Sequence, residues 1–182
     1  MPTNILAGVL VSLAVATTSA SARAGDKATD LTRDAKAALA QLYAKVPGAK
    51  AIGAQALAVL VFPKVTKGGF GIGGQSGDGA LLKNGQATAF YNTSGGSFGL
   101  QAGVQTYGYA MFFMNEKALA SLDESKGFEV GVGPSVVVMD EGKAKSTTTK
   151  TMKDDVYAFI FGQKGLMAGL GIQGNKISKT KP

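Results

Sequence analysis

Three pairs of neighbouring acids, Asp123-Glu124, Asp140-Glu141 and Asp154-Asp155, are the first places to look for acid–base chemistry in this sequence. Adjacent residues on a strand point to opposite faces, and all three pairs stand beside expected turns, so they read as solvated rather than as cooperating carboxylates. The chain contains no cysteine and no histidine. That excludes Ser-His-Asp and Cys-His catalysis, thiolate zinc sites, disulfides and a lipid-modified cysteine. Only carboxylate, lysine or tyrosine chemistry is left, and no constellation of these identifies a catalytic residue, a metal site or a cofactor.

One motif argues for nucleotide chemistry. Gly69, Gly71 and Gly74 are spaced G-x-G-x-x-G within "GGFGIGGQSGDG". A dinucleotide loop follows a strand directly, opens a helix whose N-terminus meets the pyrophosphate, and is followed about 20 residues later by a ribose-binding acid. Here Pro63 to Gly68 intervene after the strand, three more glycines follow Gly74, and no acid lies between Asp78 and Glu116. The fingerprint fails on context, and its glycines are assigned to a hairpin.

Basic residues carry the remaining chemistry. The chain has 19 Lys and Arg against 12 Asp and Glu, a net charge of +7. Such a surface suits anionic partners: lipid headgroups, polyanionic glycans or nucleic acid. Lys64 and Lys67 bracket a Pro-Lys-Val-Thr-Lys turn beside the glycine run, where ammonium groups and backbone N–H groups suit a phosphate. "KAKSTTTKTMKDD" reads as an edge strand guarded by lysines against aggregation.

These residues need elements to hold them. An apolar run from Ile5 to Ala16 followed by Ala22-Arg23-Ala24 has the form of a secretory signal, cut after Ala24 or alternatively Ala22. It is too short to span a bilayer, which takes about 20 apolar residues. Cutting after Ala24 leaves one domain, residues 25–182, with 18 basic and 12 acidic residues. Export makes nucleic acid the least suitable of the anionic partners.

"TDLTRDAKAALAQLYAKV" is the clearest helix, capped by Thr29 or Asp30 and ended by Val46-Pro47-Gly48. Leu31, Ala35, Ala38, Leu39, Leu42, Tyr43 and Val46 share one stripe, with Lys36 and Lys45 at its edges and Arg33 nearly opposite. This stripe either packs on a sheet or lies in a headgroup region while the lysines snorkel. "AKAIGAQALA" gives a second, short helix.

Strands follow. "ALAVLVF" is a buried strand stopped by Pro63, "QSGD" is a turn, and "NGQ" separates "GALLK" from "ATAFYNT". "GSFGLQAGVQTYGYAMFFM" supplies one or two strands, its "YGYAMFFM" lining a core or a lipid-accepting cavity. "NEKALASL" is a short helix capped by Asn115. "SVVVMD", "KAKSTTTKT", "VYAFIFG" and "GLMAGLGIQG" complete eight or nine strands. Alternate glycines leave a strand face bare and permit tight coiling or close approach.

"VFPKVTKGGFGIGGQSGDGALL", "FYNTSGGSFGLQAGVQ" and "GLMAGLGIQG", in that order, resemble the SYLF domain family. The pattern includes Val61-Phe62-Pro63, Lys67-Gly68-Gly69-Phe70, Tyr91, Gly99-Leu100-Gln101 and Gly165-Leu166. With the preceding helices it covers nearly all of the chain after the signal. The resemblance implies a lipid-binding fold. Eukaryotic members associate with phosphoinositide membranes, and some bind actin beside FYVE or Src-homology modules. This chain has neither a partner module nor the Trp that many relatives carry before the "FY" strand, and export makes actin an unsuitable partner.

Together these readings predict an α+β domain with N-terminal helices packed on a glycine-rich, strongly coiled antiparallel sheet, approaching a barrel. The expected function is non-enzymatic binding of anionic phospholipid or a membrane surface by an exported envelope protein, without metal, cofactor or nucleic acid. Arg33, Lys36, Lys45, Lys50, Lys64 and Lys67 are the expected anion-binding residues, and Leu31, Leu39, Leu42 and Tyr43 the expected inserting stripe. The alternative is a scaffold or adhesion module that binds another protein through a sheet edge.

Overall fold

The computed structural model describes the backbone of residues 16–124, 127–139, 144, 152–164, 172 and 174–182, and side chains from residue 25 except 70, 71 and 97–102. Helix α1 (Ala16–Lys45) leads through Pro47 into α2 (Pro47–Gly53), and strand β1 (Ala58–Lys83) follows. Strand β2 (Gln86–Phe113), helix α3 (Glu116–Ala120) and a 3₁₀ turn at Ser121–Asp123 come next. Strands β3 (Phe128–Glu129), β4 (Val136–Met139), β5 (Val156–Lys164) and β6 (Lys176–Thr180) complete the described chain.

The six strands among the described residues belong to one curled sheet, a half-barrel, ordered β3-β6-β2-β5-β4, with β1 on the other edge of β2. Its backbone is a single long hairpin. β1 and β2 pair antiparallel from Ala58↔Phe113 to Lys83↔Gln86. Asn84 (φ 50°) and Gly85 (φ 75°) close it, the left-handed pair a tight two-residue hairpin turn requires.

This ribbon folds back on itself. A Cβ on Gly77 would lie 2.5 Å from the carbonyl oxygen of Lys64, and one on Gly79 2.5 Å from Cδ1 of Phe62, although all four residues belong to β1. The fold falls where Gly69 pairs with Gly103 and Gly71 with Gly99. β1 advances two residues there while β2 advances four, so β2 takes the longer way round the bend.

Both sheet faces are covered. Leu60, Phe62, Tyr107, Tyr109, Met111, Phe113, Val156 and Ala158 fill the concave core. The residues alternating with them, Val59, Val61, Ala110, Phe112, Tyr157 and Phe159, meet Ala35, Ala38 and Leu42 of α1 and Ala49 and Ile52 of α2. That explains why these strands read as continuous apolar runs.

Several expectations change. "QSGD" is not a turn, because β1 runs straight through it and the glycines serve the close approach just described. Pro63 does not stop the strand. It sits in the irregularity between Phe62 and Val65, where the ladder skips and a missing N–H costs nothing. Thr29 and Asp30 do not cap α1, which continues back to Ala16; the Thr29 hydroxyl instead donates to the Gly25 carbonyl at 2.9 Å. β4 and β5 pair in parallel, so the sheet is not wholly antiparallel. Asn115 caps α3 as expected, accepting from Ala118 N at 2.9 Å. The apolar run of the signal up to residue 15, the "KAKSTTTKT" strand apart from Ala144, and Gly165–Gly171 lie outside the described residues.

Candidate functional site: a lysine-flanked groove along the first helix

The dinucleotide reading ends with the hairpin, since residues 75–83 are strand. The structure points instead to the seam between α1 and the sheet. A groove of about 590 Å³ opens there. Asp34, Ala37, Ala38 and Gln41 of α1 form one wall, and Pro63, Lys64, Thr106, Tyr107, Phe161, Gly162 and Lys164 the other. An adjoining hollow of about 200 Å³ shares Gln41, Phe161 and Gly162 with it and continues to Leu42, Lys45, Val46, Met139, Phe159 and Ile160. The smaller hollow is walled mainly by apolar side chains, with Lys45 beside them, and the larger groove mixes apolar and polar walls, with Asp34 as well as Lys64 and Lys164 among them.

Strand pairing builds this arrangement. Thr106 pairs with Thr66 of β1 on one side and with Lys164 of β5 on the other, so Lys64 and Lys164 come from strands that flank β2. The volume suits a small or elongated amphiphile, and the chemistry of its walls suits one with an anionic end.

The expected site residues are distributed unevenly. Lys64 and Lys45 line the cleft, while Lys36 and Lys50 are exposed outside its lining. Lys67 is half-buried on β1 beside the bend. Arg33 is exposed but engaged by its own helix: it binds Asp30 at 2.8 Å and Asp34 at 3.2 Å, which hold its charge more firmly still. Its charge is therefore partly offset locally by these two exposed ion pairs.

The stripe faces the sheet. Leu42 is buried, and Leu31, Leu39 and Tyr43 are half-buried, with the Tyr43 ring tilted against Phe112 at 6.2 Å. For this stripe to enter a membrane, α1 must leave the sheet. Lys164, Thr106 and Phe161 were not singled out from sequence, because only the β2–β5 register brings them to the helix; Tyr107 belongs to the "YGYAMFFM" run read as lining a core or a cavity, and it is buried and lines the groove.

Below the groove is a buried polar network. Tyr107 donates to Gln75 Oε1 at 2.6 Å, and Gln75 Nε2 donates to Asn175 Oδ1 at 2.6 Å. Burial pushes the Tyr107 hydroxyl up to about 12 and raises that of Tyr109 further, so both remain protonated donors.

Two of the candidate acids have structural partners. Asp123 accepts from Lys179 Nζ and from the Tyr91 hydroxyl, each at 2.9 Å, and the lysine contact leads in holding its carboxyl below the usual range. Asp155 accepts from Ser135 N at 2.9 Å and Asn115 Nδ2 at 2.7 Å, which lower it likewise. Asp140 and Glu141 lie outside the described residues.

Residues 94–182 match the family model described as Ysc84, Las17-binding protein actin regulator. The SYLF resemblance is borne out over this region. The match begins within β2 and runs to the last residue. β1, which carries the glycine fingerprint, lies outside it but pairs with β2 along nearly its whole length. A search of curated proteins returns no match.

Proposed function

We propose that this protein is a non-enzymatic binding module for anionic lipid, acting at a membrane surface. The observation that carries the reading is the cleft along α1, where a mainly apolar hollow beside Lys45 adjoins a groove that Lys64 and Lys164 line together with Asp34. Lys36 and Lys50 add positive charge on the exposed side of the helices. Each basic residue near an anionic surface contributes about 1 kcal/mol. The Ysc84 match supports a lipid- or actin-related binding role.

The proposal includes a non-catalytic role, argued from the absence of cysteine and histidine in the sequence, which removes the commonest nucleophile and general-base pairs. The proposal includes export to the cell envelope, supported by the Ile5–Ala16 run and the Ala22-Arg23-Ala24 pattern.

The matched family's description as a Las17-binding actin regulator favours a second reading: a protein-binding module using a sheet edge. Vesicle co-sedimentation separates the two. Lipid binding predicts pelleting with vesicles containing phosphatidylglycerol and none with phosphatidylcholine alone. Absence from both pellets favours the protein partner.

A further inference from the structure

The expected inserting stripe of α1 is turned toward the sheet, yet the described surface has large apolar side chains elsewhere. Ile72 is 74% exposed and Val104 66% exposed. Single exposed aliphatics are ordinary. These two are brought to one place, because Gly68 pairs with Val104, Gly69 with Gly103, and Ile72 with Phe98, so both flank the bend of the folded ribbon.

Basic residues lie on the ribbon below the bend. Lys67 pairs with Gln105, one step from the Val104 pair, and Thr106 next to it pairs with Lys164. Lys64 stands three residues before Lys67; Asp34 of α1 lines the same groove as Lys64 and Lys164, and the one acid within β1 and β2 is Asp78. An apolar tip with ammonium groups at its base is the arrangement that inserts shallowly among acyl chains while the cations meet headgroup phosphates.

We infer that the ribbon bend, with Ile72 and Val104 at its surface, is the element that enters an anionic bilayer, while α1 stays docked. This rests on the lipid reading above and assigns it a second contact beside the groove. The cost of opening the helix stripe is thereby avoided, since the inserting residues are already outside the core.

The chain has no tryptophan, so Ile72→Trp creates a single fluorescent reporter at the bend, and Leu39→Trp one on α1. With phosphatidylglycerol vesicles, emission from Ile72→Trp shifts to the blue and is quenched by bromine-labelled acyl chains, while Leu39→Trp is unaffected. The pair Ile72→Ser and Val104→Ser weakens vesicle binding about tenfold or more and leaves the urea midpoint unchanged, since both side chains are solvated. If the wild type binds but the bend reporter is unquenched, or the serine pair binds as wild type does, the bend assignment is overturned and the lipid reading stands. If the wild type binds no vesicle, both fall together.

Discussion

The Tyr109 hydroxyl donates to Oγ1 of Thr93 at 2.6 Å, although both residues belong to β2 and are sixteen positions apart. An extended strand would hold them roughly 50 Å apart. The bond is therefore a direct measure of how far the β1–β2 ribbon has folded over. Both residues are fully buried, so the bond lies inside the concave core. Tyr109→Phe leaves the Thr93 hydroxyl buried without this partner and destabilises the protein by about 1–3 kcal/mol. Adding Thr93→Val restores part of the loss, a coupling that urea unfolding of the double-mutant cycle detects.

Gly77 and Gly74 make opposite predictions. Gly77 faces backbone, with Lys64 O 2.5 Å and Val65 Cα 2.9 Å from a built Cβ, whereas the nearest atom to one on Gly74 is Gly95 O at 3.8 Å. Gly77→Ala costs about 1–3 kcal/mol by forcing the two halves of β1 apart. Gly74→Ala is neutral or slightly stabilising, because alanine loses less conformational freedom on folding than glycine. Thermal unfolding of the two variants reads the difference. Gly74 is also the last glycine of the apparent dinucleotide fingerprint, so its tolerance separates a folding role from a phosphate-cradling one.

Asp155 ties the start of α3 to the turn before β4 through Asn115 and Ser135. Its acidity is increased by the Ser135 backbone N–H first and the Asn115 side chain next. The folded carboxyl thus titrates below the unfolded one, near pH 4. Its stabilisation is present above that pH and is lost as pH falls through the folded value. Asp155→Asn is accordingly less stable than wild type at pH 7, and the gap narrows below about pH 4. Urea midpoints measured across that range test the sign.

Charge reversals separate paired from available cations. Lys64→Glu or Lys164→Glu places an acid in the cleft and weakens binding to phosphatidylglycerol vesicles by roughly fivefold to tenfold or more, given about 1 kcal/mol per basic residue removed. Arg33→Glu has a smaller effect, because Asp30 and Asp34 already offset that guanidinium. Co-sedimentation at fixed lipid orders the three variants.

The α+β class, the Asn84-Gly85 turn, the Asn115 cap and the stripe of α1 are local features, and the sequence alone identifies them. "QSGD" misleads because a turn and a close backbone approach both call for glycine, and only the return of Gly77 against Lys64 distinguishes them. Pro63 misleads in the same way, since its effect depends on whether the ladder skips at that point. β6, "KISKT", carries a weak local signal and is recognisable only from its pairing with Phe90–Ser94. Lys64 was legible because it stands beside the glycine run, but Lys164 joins it only through the register with Thr106.

Binding to phosphatidylglycerol vesicles measured against salt tests the account most directly. From roughly 50 to roughly 500 mM salt the Debye length shortens about threefold, and lysine-led attraction weakens with it. We expect affinity to fall steadily over that range and phosphatidylcholine vesicles to bind weakly throughout. Equal affinity for both vesicle types, unmoved by salt, contradicts the account.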